Sequence, residues 1–218
     1  METIEKSNFI SLLRSLYLWL CRYWDRVLMA CLAVCMTAGC FWAVYRAIGE
    51  EEIHLRYQVL ETAQQYLGCR ESDKSHEKII DFYNSHEPSP RSYKVTYEDN
   101  WCATFGSAVA LEAGLTEIIP MECSCEQQIN LFKELGRWRE NECYLPRTGD
   151  YIYYVWDEWR RGDCTAWADH VGIVAETFGP VIKVIEGNKE DAVGYRYIFL
   201  NDICIRGYGL PDYTNANK

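Results

Sequence analysis

Basic charge is in deficit in this chain. Of its 218 residues, 22 are Lys or Arg against 32 Asp or Glu, a net charge of −10. The imbalance is uneven. Residues 1–46 hold five basic and three acidic side chains; removing these from the totals leaves 17 basic and 29 acidic residues in 47–218. Such an acidic body has no basic face for a phosphate-rich polymer, so nucleic acid is not an expected partner. Zinc ligation lacks its spacing too: Cys123-Ser124-Cys125 has no second pair at metal-ligand distance in sequence. Internal repeats and low-complexity stretches are missing. With 49% hydrophobic and 14% aromatic residues, the chain has ample material for a packed core.

One long apolar run is present. Val27 to Tyr45 carries no charge, and as a helix it measures about 28 Å, close to the hydrocarbon thickness of a bilayer. Four Lys or Arg precede it and two fall within the next twenty residues, which favours an N-inside, C-outside orientation. Trp24, Trp42 and Tyr45 suit an interfacial belt. A cleaved signal peptide lacks a small-x-small site here, and Thr37-Ala38-Gly39-Cys40 is an incomplete lipobox followed by further apolar residues. The expected organisation is a cytoplasmic or interfacial amphipathic segment over 1–26, a transmembrane helix over 27–46, and a linker with the start of the first domain helix over 47–59. An extracytoplasmic catalytic domain over 60–213 and a tail over 214–218 follow.

Of eleven cysteines, Cys21, Cys31, Cys35 and Cys40 lie in or beside the apolar run, where they act as small hydrophobes. Seven remain in the domain, an odd number; no particular pairing follows from their spacing.

The domain begins helical. Ile53–Leu67 has helical spacing and ends at Gly68, Ser75–Tyr83 reads as a short helix, and Pro88 and Pro90 enforce an irregular stretch. A helix is predicted from Asn100 to Ala113, stopped by Gly114, and another from the capping box Ser124-x-x-Gln127 to Leu135, stopped by Gly136. Short β-branched and aromatic runs follow: Tyr151–Trp156, Val171–Ala175, Val181–Glu186 and Tyr195–Leu200. Helices first and strands second predict an α+β fold.

Three pieces carry chemistry together. Asn100-Trp101-Cys102-Ala103 puts a cysteine in the first turn of a helix, where free N–H groups and the helix dipole favour a thiolate and can hold an oxyanion. Asp169-His170-Val171-Gly172-Ile173-Val174 puts a histidine at the head of a strand. Val184-Ile185-Glu186-Gly187-Asn188 ends the next strand, and alternation predicts Glu186 and Asn188 on one face, facing the imidazole. Each piece alone reads as ordinary core or surface. Together they supply nucleophile, base and orienting group.

These segments, with Pro146-Arg147-Thr148-Gly149-Asp150-Tyr151-Ile152-Tyr153-Tyr154 and Ile205-Arg206-Gly207-Tyr208-Gly209, resemble the CHAP family of cysteine, histidine-dependent amidohydrolases and peptidases that cut bacterial walls. The resemblance runs from about Leu60 to Tyr213. It implies a papain-like α+β domain, helices packed on an antiparallel sheet. It implies hydrolysis of the N-acetylmuramoyl–L-alanine amide or of stem or cross-bridge peptide bonds in peptidoglycan. Carried over, Cys102 is the nucleophile, His170 the general base and acid, Glu186 the orienting group, and Asn188 the accompanying polar residue. Trp101 and Trp167 are candidate walls of the substrate cleft, core packing being the other reading for Trp101. No wall-binding module accompanies the domain, so attachment to the membrane takes its place. No cofactor or metal is expected: Glu98 and Asp99 alone fall short of the roughly six to eight oxygens of a calcium site. Two other functions fit the same residues: a membrane-anchored cysteine peptidase acting on protein, and a non-catalytic wall-peptide-binding domain in a membrane assembly. His54, His76 and His86 are expected at the surface, and the Cys123–Cys125 pair is expected to pack.

Overall fold

A computed structural model describes residues 2–140, 144–156 and 167–216; within the first helix, the side chains of 2–11, Leu20, Cys21, Arg22, Trp24, Asp25, Val27, Ala30, Val44, Ala47 and Ile48 lie outside the description. Trp159, one of the loop aromatics of the sequence, is likewise outside the described residues. The chain forms two compact units, Met1–Glu50 and Glu51–Lys218.

The first unit is helical throughout its described length, part of α1 (Glu2–Gln64). Its large apolar side chains Leu28, Met29, Leu32, Val34, Met36, Phe41 and Trp42 are exposed. Among the described residues no helix is long and apolar enough to cross a membrane, and the expected span over 27–46 includes Val27, Ala30 and Val44, whose side chains are not described.

The second unit is α+β. It begins with the last turns of α1, and 47–59, expected to hold a linker and the start of the first domain helix, is helical. Leu55, Val59, Leu60 and Ala63 bury one side of it in the core, at helical spacing. Gly68, at φ 83°, turns the chain away at the predicted stop. Then come α2 (Glu77–Ser85), α3 (Cys102–Glu112) and α4 (Cys125–Glu134). Gly114 and Gly136 end α3 and α4 in the left-handed region, where glycine has no Cβ penalty. The capping box at α4 does not form: the Ser124 side chain makes no cap. The buried Glu122 carboxylate instead holds the approach to the helix, accepting from the N–H groups of Cys123 at 2.7 Å and Ser124 at 3.2 Å.

Six strands among the described residues form one antiparallel sheet: β1 (Trp138–Arg139), β2 (Tyr151–Tyr154), β3 (His170–Phe178), β4 (Val181–Lys189), β5 (Ala192–Phe199) and β6 (Ile205–Gly209), in spatial order β1-β6-β2-β3-β4-β5. All four predicted strand runs are found, three of them longer than expected, and the short β1 was not anticipated. β2 is buried at every residue, as a central strand covered on both faces must be. The buried helix α3 packs on β3 and β4. Two glycines permit that packing. A Cβ at Gly106 would meet the Tyr151 ring at 2.9 Å, and one at Gly187 would meet Phe105 Cβ at 2.4 Å.

The Pro-x-x-Gly-Asp segment anchors this layer. Asp150 is fully buried and accepts from Arg56 Nη1 at 2.8 Å, Tyr144 Oη at 2.6 Å and the Arg147 N–H at 2.8 Å. Arg56 also lies over the Tyr213 ring, 4.6 Å from its centre. Thus α1, β2 and the chain's last segment share one buried ion pair.

Candidate active site

Cys102 is the first residue of α3 and is 5% exposed. The helix's first N–H groups have no carbonyl one turn back within the helix, so the sulfur sits in the positive end of its dipole. The first hydrogen bond of the series is Phe105 N–H to Trp101 O at 2.8 Å.

Around that sulfur stand three donors. The Cys125 thiol lies 3.6 Å away, sulfur to sulfur. The other two are the His170 ring and the Val171 N–H, near enough to act on the charge of the sulfur. The Cys125 thiol is the largest influence pulling the Cys102 thiol well below its ordinary range; burial opposes, and the His170 hydrogen bond and charge then add to the pull. Cys125 is pushed well above its ordinary range, first by its hydrogen bond to Cys102 and then by burial. The two thiols titrate as a pair, the shift being downward at Cys102 and upward at Cys125.

His170 opens β3, paired in register with Tyr154 on β2. The start of the strand is held by Asp169, whose Oδ2 accepts the Trp156 N–H at 2.8 Å. The ring stacks on Tyr154, centres 6.0 Å apart and planes 25° apart, with the half-buried Trp156 at 6.4 Å. Nε2 donates to Glu186 Oε2 at 3.1 Å. That leaves Nδ1 for the sulfur. Burial disfavours the imidazolium, but the hydrogen bonds to Cys102 and Glu186 and the charges of both outweigh it, and the value is pushed up to about 9.

Glu186 is fully buried on β4. It accepts Arg196 Nε from β5 at 2.8 Å and 2.9 Å on its two oxygens. Burial alone would protonate this carboxylate; the hydrogen bonds and charges of His170 and Arg196 hold it below its ordinary value. Arg196 in turn lies 4.7 Å from the centre of the Trp156 ring. The result is a line of groups, sulfur to imidazole to carboxylate to guanidinium, buried as far as Glu186 and reaching the partly exposed Arg196.

The structure brings Cys102, His170 and Glu186 together, as the spacing predicts. Asn188 is placed elsewhere. The pairing of β4 with β5 shifts between Glu186 and Lys189, and Asn188 takes φ 55°, so strand alternation fails at this point. Its Nδ2 donates to Asn100 Oδ1 at 3.3 Å, tying the end of β4 to the residue two before Cys102. Trp101 is fully buried, its indole N–H on Glu71 Oε1 at 2.9 Å and its ring beside His76; it is core, not cleft wall. His76 is buried as well, contrary to its expected surface position, because Trp101 and Tyr97 pack over it. Trp167 is two-thirds exposed, three residues before His170. Cys125, Arg196, Tyr154 and Trp156 were missed as site residues. Cys125 had only its C-x-C neighbour as a signal, and Arg196 reaches the site through a strand pairing that local sequence does not reveal. No protein-family model matches the chain, and no curated protein is similar to it.

Proposed function

We propose that this chain is a membrane-attached, papain-like cysteine hydrolase of CHAP type that cuts an amide or peptide bond of peptidoglycan. The observation that carries the reading is the Cys102 sulfur at a helix start, its thiol pulled down in part by an imidazole that a buried carboxylate holds through Nε2. A cysteine and a histidine serving only the core would not require an ion-paired carboxylate sunk behind them at a desolvation cost.

The chemistry follows from this arrangement. The Cys102 thiolate attacks the carbonyl carbon, and the N–H groups at the start of α3, including its own, stabilise the oxyanion. The His170 imidazolium protonates the leaving amine and becomes neutral. It then takes a proton from water, which attacks the thioester and frees the acid. Glu186 keeps Nε2–H occupied so that Nδ1 faces the sulfur throughout, and it stabilises the imidazolium. Trp156 and Trp167, near the imidazole in space and in sequence, are the aromatic surfaces on which substrate would rest.

Membrane attachment is supported by the uncharged run Val27–Tyr45 and by the exposed apolar side chains of the first unit, which need a cover. The basic residues before the run orient the catalytic unit outside the cell, where the wall is.

Full-length protein in detergent, incubated with purified wall, should release fragments whose masses identify a new amine terminus and hence the bond. Cys102→Ala should release none. Unreduced release by Cys102→Ala ends the proposal, and cleavage of casein with intact muropeptides turns it to a protein peptidase.

A further inference from the structure

Two helices begin with a cysteine, and their sulfurs meet. Cys102 opens α3, Cys125 opens α4, and the sulfurs are 3.6 Å apart. Hydrolysis needs one thiol. The second is nonetheless held firmly against it: Ser107 on α3 donates to Glu122 O at 2.7 Å and accepts the Glu122 N–H at 2.9 Å, fixing the approach to α4 onto the helix of the nucleophile. Gln128 on α4 extends this network to Pro120 O at 2.8 Å and receives Tyr153 Oη at 2.8 Å. Every described cysteine is a free thiol. To bond, the two sulfurs must close by about 1.5 Å, to the roughly 2.05 Å of a disulfide.

We propose that Cys102 and Cys125 form a peroxide-responsive pair, in which hydrogen peroxide oxidises Cys102 and Cys125 captures it as a disulfide that shuts off and protects the nucleophile. The proposal adds regulation to the hydrolase reading, while its sulfur chemistry is independent of the substrate. In the first step the Cys102 thiolate attacks one peroxide oxygen. The S–O bond forms as the O–O bond breaks, and the leaving hydroxide takes the His170 proton to become water. Sulfur has lost two electrons and peroxide has gained them, leaving a sulfenic acid and a neutral imidazole. Loss of the thiolate charge removes the influence that kept the Cys125 thiol protonated. In the second step Cys125 sulfur attacks Cys102 sulfur; the S–S bond forms, the S–O bond breaks, and hydroxide leaves with the Cys125 proton as a second water. An external dithiol returns two electrons and two protons and restores both thiols. Cys102 and Cys125 are only 5% and 8% exposed, so a small peroxide has an advantage over a bulky thiol, and the neighbouring Cys125 over any external resolving group.

The test uses full-length protein in detergent, carrying Cys123→Ser so that cleavage after Glu122 and Glu126 leaves Cys125 the sole cysteine of its peptide. Treatment with hydrogen peroxide should give a peptide cross-linked between Cys102 and Cys125, two hydrogens lighter than the sum of its parts. Labelling of Cys102 by a small electrophile should be lost, and dithiothreitol should restore it. With Cys125→Ser added, no cross-link should form, and lost labelling should stay lost because Cys102 proceeds to sulfinic and sulfonic acids. A treated protein without the cross-link overturns the proposal, and this arm needs no change at Cys125. Equal recovery of the Cys125→Ser protein overturns it too. A cross-link in a protein that cuts no wall retains the pair and ends the hydrolase reading; wall cleavage without a cross-link does the reverse.

Discussion

Gly172 on β3 gives the Glu186 side chain its passage to His170: a Cβ at residue 172 would lie 2.7 Å from Glu186 Cγ and 2.5 Å from Val184 Cγ1. Both contacts are well inside van der Waals distance, and neither atom is the free end of a flexible chain. The glycine two residues after the histidine therefore belongs to the site, although it touches no substrate.

Gly172→Ala should push Glu186 away from the imidazole. Overpacking of this kind costs about 1–3 kcal/mol of stability, and misplacing a group that orients the base costs on the order of 100-fold in rate. Wall-digestion rate and thermal midpoint, measured on the same preparation, separate the two effects. A variant that keeps full activity would show that Glu186 need not lie where it does.

Glu186→Gln tests the charge rather than the position. The amide retains the shape but cannot stabilise an imidazolium, so the His170 value should fall from about 9 toward the ordinary 6.5. The rate should drop roughly 10²- to 10⁴-fold, by analogy with neutralised orienting acids, and the alkaline limb of the pH profile should move down with it. An unmoved limb would mean that Glu186 does not govern the imidazole.

The course of the strands and the meeting of Cys102, His170 and Glu186 were legible in sequence because each depends on local pattern: an alternating apolar run, a helix start, a strand head. What was not legible depends on long-range pairing. Arg196 reaches Glu186 only because β5 lies beside β4, and Cys125 reaches Cys102 only because α4 starts against α3. Asn188 was misjudged for a related reason: alternation holds while a strand stays regular, and the irregular pairing after Glu186 breaks it. Trp101 beside Cys102 invited a cleft role, yet its ring is buried and its indole found a partner in Glu71, thirty residues earlier.

The buried ion pair of Arg56 and Asp150 makes a purely structural prediction. Asp150→Asn removes the buried counter-charge of the Arg56 guanidinium, leaving it only that of Glu52, 2.9 Å from Nε, and takes a charged acceptor from Tyr144 and Arg147. Breaking one side of such a pair costs about 3–5 kcal/mol, and a domain of this size loses roughly 2–4 °C of melting temperature per kcal/mol. Thermal unfolding should thus show a fall of about 6–20 °C in the transition of the second unit. A midpoint within error of the parent protein would refute the anchoring role.

The pH dependence of the parent protein follows from the opposed shifts of the reacting pair. His170 has a folded value of about 9, above its ordinary 6.5, so its contribution to stability is complete below 6.5 and is lost as pH rises through about 9. Cys102 is shifted downward, so its contribution is present above the ordinary thiol value and is lost as pH falls through the lowered one. The thiolate–imidazolium pair contributes to both shifts, with Cys125 acting on Cys102 and Glu186 on His170, and it persists between the lowered thiol value and about 9. Wall-cleavage kcat/KM should accordingly form a plateau across neutrality, with an alkaline limb near 9 where the imidazolium needed by the leaving amine disappears. Alkylation of Cys102 should already be fast at neutral pH, with its acid limb well below the roughly 8.5 of a free thiol. An acid limb at the free-thiol value would show that Cys102 rests protonated, with His170 neutral beside it.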